Sequence, residues 1–181
     1  MFLCEFVVSI LKAETTKHTK HTNNHETRKD HDQRPKPNRK SMSKIGGVIV
    51  SHGQVATELV AAAETVVGDI SHIVAVSIGW HDDVEAAKNA IERAIKNVSQ
   101  GRGVIVLTDM FGGTPTNISA MFLKEGEVEI VTGVNLPMVI KLASNSKEIS
   151  ISDLAREIED QGKQSIYRTG ALLEPQLKKH A

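Results

Sequence analysis

Residues 48–54 read VIVSHGQ: three β-branched apolar residues, then Ser51, His52, a glycine and a polar residue. Such a run, closed by a turn former and followed by a segment of helical period, marks a buried strand that hands the chain to a helix. The next segment fits: VATELVAAAETVVG sets Val55, Leu59, Ala62, Ala63 and Val66 on one face and stops at Gly68. His52 is thereby predicted to sit at the carboxyl end of a strand.

The same alternation continues down the chain. IVAVSI (73–78) is a second strand, and HDDVEAAKNAIERAIKNV (81–98) a helix with acids in its first turn and lysines later, as the helix dipole prefers. Val84, Ala87, Ile91, Ala94 and Ile95 form its core stripe. GVIVLT (103–108) is a third strand, TPTNISAMFL (114–123) a short helix and VEIVTG (128–133) a fourth strand. LPMVIKLAS (136–144) and SISDLAREIEDQGKQSIYRTGALL (150–173) complete the order as helices, the last opened by a Ser or Asp cap. The pattern predicts an α/β fold, a small doubly wound and mainly parallel sheet flanked by helices on both faces. In such a sheet ligands bind outside the carboxyl ends of the strands, where the winding changes direction.

Composition narrows the partners. The 181 residues carry 22 basic and 22 acidic side chains, so no overall charge draws the protein to nucleic acid or to an anionic membrane. The single cysteine, Cys4, has no intramolecular partner, and a cytoplasmic location is expected. Residues 12–40 contain no aliphatic side chain larger than alanine and cannot build a core. Ahead of them, MFLCEFVVSIL lacks a basic leader, carries Glu5 and is too short to span a bilayer. Residues 1–41 are therefore read as a disordered or non-native extension, with Met42 as a candidate start, and residues 42–181 as one domain. His18, His21, His25 and His31 are irregularly spaced in this flexible tail, and no metal site is expected.

A second irregular stretch, LTDMFGGTPTN (107–117), ends the third strand. Gly112 and Gly113 permit positive φ and close backbone approach, Thr114 can cap the helix, and Pro115 suits its first turn. A glycine loop before a helix N-terminus is suited to phosphate. If strands one and three are neighbours, His52, Asp109 and the 112–114 loop converge. A neutral imidazole nitrogen is a nucleophile, and a carboxylate on the other ring nitrogen sets its tautomer and steadies the developing charge. That set points to phosphoryl transfer by positioning and electrostatics. Neither a GxxxxGK[ST] nor a GxGxxG motif is present, which speaks against direct use of ATP or a dinucleotide and makes another protein the expected donor. Taken singly, a strand-end histidine is commonly a surface residue and an Asp before glycines a turn former; taken together, two irregular loops at strand ends are better explained by a site. His72 is read as a surface residue, Asp82 or Asp83 as a helix cap, and Trp80 as packing, with no chemistry for His81.

VSHG, TDMFGGTPTN and GVNLPM (133–138) together resemble the motifs of the enzyme IIA component of the mannose family of the bacterial phosphotransferase system, in family order and spacing, over about residues 44–146. The resemblance implies that His52 is phosphorylated at Nε2 by phospho-HPr and that Asp109 orients it. It also implies that Gly53, Gly112, Gly113 and Thr114 bind the phosphate, with Met110, Phe111, Asn135 and Pro137 as site walls. The acceptor would be a histidine of an enzyme IIB partner, feeding membrane IIC and IID components in sugar uptake, with no cofactor. A homodimer is implied as well, in which an antiparallel strand is exchanged between subunits. Two other readings share the same phosphohistidine: a regulatory sensor without transport, and the phosphotransfer subunit of dihydroxyacetone kinase, whose second motif is closer to MGSA than to GGTPTN. Thr114 and Thr116 stand where family members vary, no IIB domain is linked in this sequence, and the sugar is not encoded in the motifs.

Overall fold

The computed structural model describes residues 43–79, 83–171 and 173. The expectations for the 1–41 extension, Cys4, its four histidines, Met42, Trp80, His81 and Asp82 fall outside these residues. Strands β1 (Gly46–His52), β2 (Ile73–Ile78), β3 (Val104–Thr108) and β4 (Val128–Thr132) form one sheet in the order β2-β1-β3-β4. Every neighbouring pair is parallel. The chain runs outward from β1 to β2, then crosses back past β1 to β3, so the winding reverses between β1 and β3. Val50 is level with Thr108 and His52 with Ile78, which brings the carboxyl ends of β1 and β3 side by side. Among the described residues no antiparallel strand joins this sheet.

The helices are α1 (Val55–Val67), α2 (Val84–Val98), α3 (Thr114–Ser119) with a 3₁₀ turn at Ala120–Phe122, α4 (Leu136–Ala143) and α5 (Ile151–Gln164). Alternation along the strands sorts the core into two layers. Ile49, Ile105 and Leu107 pack with α1, α4 and α5, whereas Val48, Val50, Val104 and Val106 face α2 and α3. By the same parity Ser51 belongs to the α1 side and His52 to the α3 side. Ser51, fully buried, accepts the Ala56 N–H at 2.6 Å and so ties the strand to the first turn of α1. Asp83 and Ser150 cap α2 and α5 through the N–H groups of Ala86 and Asp153.

Several expectations are corrected. In α1 the packed face is Ala56, Leu59, Val60, Ala63 and Val67, about one residue round from the expected stripe, and Val55 and Val66 are 50% and 62% exposed. An alanine-rich helix has a shallow apolar gradient, and the Ser51 bond to Ala56 sets its rotation. Val84 at the head of α2 is likewise exposed. Helix α5 stops at Gln164, where the Ser165 N–H turns back to the carbonyls of Gln161 and Gly162; Ile166 and Tyr167 are exposed, and helical backbone resumes at residues 169–171. His72 is not on the surface but 4% exposed, with Nε2 unpartnered. Burial pushes its imidazole pKa down, and the Lys44 charge acts the same way, against Asp69 and a hydrogen bond to the Leu142 backbone.

Two glycines set the sheet's distance from its helices. A Cβ on Gly46 would lie 2.5 Å from the Val98 carbonyl oxygen, and one on Gly47 2.7 Å from Leu142 Cδ2. Gly46→Ala is expected to destabilise the domain by about 1–3 kcal/mol, because backbone cannot yield as a side-chain tip can; urea unfolding of the variant checks this. His72 gives a pH dependence. An unfolded histidine protonates near pH 6.5 while the folded imidazole resists, so stability is full above about pH 7 and falls as pH drops below about 6.5. The loss levels off below the folded pKa. Unfolding midpoints between pH 7.5 and 5.5 should show this slope in the parent and a flatter one in His72→Leu.

Candidate active site

His52 closes β1 and is half-exposed, and Asp109 follows the last residue of β3. The pairing of those strands brings them into contact. His52 Nδ1 lies 2.7 Å from Asp109 Oδ2, and the same oxygen accepts the His52 backbone N–H at 2.8 Å. The second oxygen, Oδ1, accepts the Met110 N–H at 2.8 Å. Partial burial alone would raise the pKa of the Asp109 carboxyl, but bonds from the His52 backbone, the His52 ring and the Met110 backbone outweigh it and hold it below the usual carboxylate range. A carboxylate can only accept, so His52 carries its proton on Nδ1. Nε2 is left with a free lone pair and no hydrogen bond among the described residues.

The loop after Asp109 curls beside the ring. Gly112 has φ +79°, which glycine adopts without strain. Gly113 is required for another reason: a Cβ there would lie 2.9 Å from His52 Cε1 and 3.1 Å from Met110 Cγ. Gly113, not Thr114, is the cap residue of α3; Thr114 is the first helical residue and Pro115 is in the same turn. Thr114 is exposed, and its hydroxyl has no hydrogen-bond partner among the described residues. Gly53 turns the chain at φ +53°, and its N–H donates to the Ile78 carbonyl at 2.9 Å.

The expected wall residues divide. Met110 adjoins the ring through Gly113, whereas Phe111, 84% exposed, lines a cavity of about 430 Å³ with Asn135, Thr132, Gly133 and Lys163. That cavity runs along β4, and neither His52 nor Asp109 borders it. Asn135 caps α4 by accepting the Met138 N–H and donates to the Gly162 carbonyl at 3.1 Å, while Pro137 sits in the first turn of α4. Sequence reading missed two buried hydroxyls, Thr108 and Thr116, joined at 2.7 Å, the second also bonded to the Met110 carbonyl at 2.6 Å. Only their types and proximity to the glycine pair hinted at a role. Among the described residues no group of three or more His, Cys, Asp or Glu is placed to hold a metal ion. No helix among them is long and apolar enough to cross a membrane.

The family model described as "PTS system fructose IIA component" matches residues 46–159, a span that holds His52, Asp109 and the glycine loop. The chain belongs to this family, the mannose-type IIA components. The PTS system fructose-specific EIIA component of Bacillus subtilis is 26% identical over 122 residues, covering 67% of this chain and 84% of that protein. The sorbose-specific EIIA component of Lacticaseibacillus casei is 27% identical, covering 61% and 80%. Among solved structures, a mannose/sorbose specific IIA subunit of the phosphotransferase system from Enterococcus faecalis superposes with TM-score 0.62 at 26% identity, over 68% of this chain and 93% of that one. As a IIA component this protein is a sugar phosphotransfer component of the phosphotransferase system, and the His52–Asp109 pair lies inside the region shared with that family.

The close approach of Gly113 to the imidazole makes it a sensitive position. Gly113→Ala is expected to push the ring off Asp109 with little change in overall stability, since the clash is with a half-exposed side chain. Loss of the hydrogen-bonded Nδ1 proton signal of His52 in a proton NMR spectrum, with an unchanged unfolding midpoint, is the expected result.

Proposed function

We propose that this IIA component accepts a phosphoryl group from phospho-HPr on His52 Nε2 and passes it to a histidine of an enzyme IIB partner, within phosphoenolpyruvate-dependent sugar uptake. The observation that carries the reading is the 2.7 Å bond from His52 Nδ1 to Asp109, which leaves Nε2 as the free nucleophile. In the transfer, the Nε2 lone pair forms the new bond to phosphorus as the bond between phosphorus and the donor breaks. The ring keeps its Nδ1 proton and gains positive charge, which the Asp109 carboxylate already faces. The N–H groups of Gly112, Gly113 and Thr114 and the free Thr114 hydroxyl are the donors for the phosphoryl oxygens. Half-exposure of His52 suits a group that a second protein must reach. The reading also includes a cytoplasmic location and a homodimer.

Incubation with phosphoenolpyruvate, enzyme I and HPr, followed by intact mass and fragment mapping at neutral pH, tests this. One acid-labile phosphate on His52 is expected, and an acid-stable label would place it on a hydroxyl such as Ser51 or Thr114. His52→Ala should take up none while keeping its fold. Asp109→Asn should be labelled on the order of 10²-fold more slowly, the scale of losing an orienting charge. Equal rates for Asp109→Asn and parent would remove Asp109 from the mechanism.

A further inference from the structure

We infer that Thr116 is a positioning residue for His52, acting through Met110 and Asp109, an inference that rests on His52 being the phosphoryl acceptor. The loop from Asp109 to Gly113 has no apolar anchor: Met110 is 55% exposed, Phe111 84%, and no side chain between Asp109 and Gly113 is buried. Packing therefore does not hold it. Its restraints are polar, and the buried ones run through Thr116.

A hydroxyl has one proton to give. The Met110 carbonyl, 2.6 Å from Thr116 Oγ1, can only accept, so the Thr116 proton goes there. The 2.7 Å bond between Thr108 and Thr116 is then donated by Thr108, whose hydroxyl is fully buried at the end of β3. The order is fixed: Thr108 to Thr116, Thr116 to the Met110 carbonyl, the Met110 N–H to Asp109 Oδ1, and the His52 ring to Asp109 Oδ2. Met110 is held on both sides, its carbonyl by α3 and its amide by the catalytic carboxylate. The chain of bonds starts on the strand that pairs with β1, so the rigid sheet reaches the imidazole by a second path besides the backbone of β1. Asn117 adds one exposed bond to the Gly112 carbonyl at 3.2 Å, beyond the segment that carries Asp109. Among the described residues the Thr116 hydroxyl bonds to Thr108 and the Met110 carbonyl and not to the ring, so its effect passes through Met110.

Thr116→Val keeps the shape and removes the hydroxyl; Thr116→Ser keeps the hydroxyl. Two readouts are taken: single-turnover labelling by phosphoenolpyruvate, enzyme I and HPr, and ¹⁵N chemical shifts of the His52 ring in the unphosphorylated protein. Thr116→Val should be labelled about tenfold more slowly, the fold-change of one lost hydrogen bond. Its ring should move from the Nδ1–H tautomer toward a mixture, and Thr116→Ser should restore both. Parent rate and an unchanged tautomer in Thr116→Val would overturn the inference. So would a slowed rate with the tautomer unchanged, or one that serine does not rescue, since either marks a packing effect. If Thr116→Val does not fold, Thr108→Val breaks the same chain one bond earlier and should shift the ring in the same direction; no shift there overturns it. Absence of any label on parent His52, with the tautomer shift present in Thr116→Val, would overturn the acceptor reading and leave the positioning role standing.

Discussion

The parallel pairing of β1 with β3 is the contact on which the site depends. His52 is the last residue of β1 and lies 57 positions before Asp109 in sequence, yet a register that levels Val50 with Thr108 brings the end of β1 beside the residue that follows β3. Shifting that register by one residue would turn the side chains of a strand to its other face and part the pair. Two central strands, buried up to the half-exposed His52, with valines to one side and isoleucine and leucine to the other, make such a slip costly. The hydrophobic core is thus also what sets a 2.7 Å polar contact.

Around that pairing the sequence devotes unusual residues to close approach. Gly46 and Gly47 admit the end of α2 and the side of α4 at the amino end of β1, and Gly113 admits the imidazole at the carboxyl end. The polar residues divide in the same way by strand parity. Ser51 points to α1 and orients it, whereas His52 points toward α3 and its loop. One strand end therefore anchors a helix on one face of the sheet and presents the His52 imidazole on the other.

Much of this was legible before any coordinates. Strands 73–78 and 104–108 stand out as apolar runs rich in β-branched residues, and the convergence of His52, Asp109 and the glycines follows once strands one and three are taken as neighbours. What was not legible depended on contacts between distant segments. The rotation of α1 is set by a hydroxyl at Ser51, against an alanine-rich surface whose own periodicity is weak. His72 is buried beside Leu142 of α4, and nothing in its neighbours along the chain announces that. Thr114 was expected as a cap because its type suits the place, but the chain enters α3 one residue earlier, and the threonine that matters for the loop's shape is Thr116. Family resemblance named the residues at the centre; it did not reveal what holds them.

The bonding of Asp109 has a thermodynamic side. Both oxygens are occupied, by two donors from His52 and one from Met110, and all three donors exist before any phosphoryl group arrives and after it departs. A site whose dipoles need not rearrange when the ring gains charge has little reorganisation energy to supply in either direction. In the proposed transfer this would lower the barrier to loading and to unloading alike, and net flow would be left to the donor and acceptor that dock there.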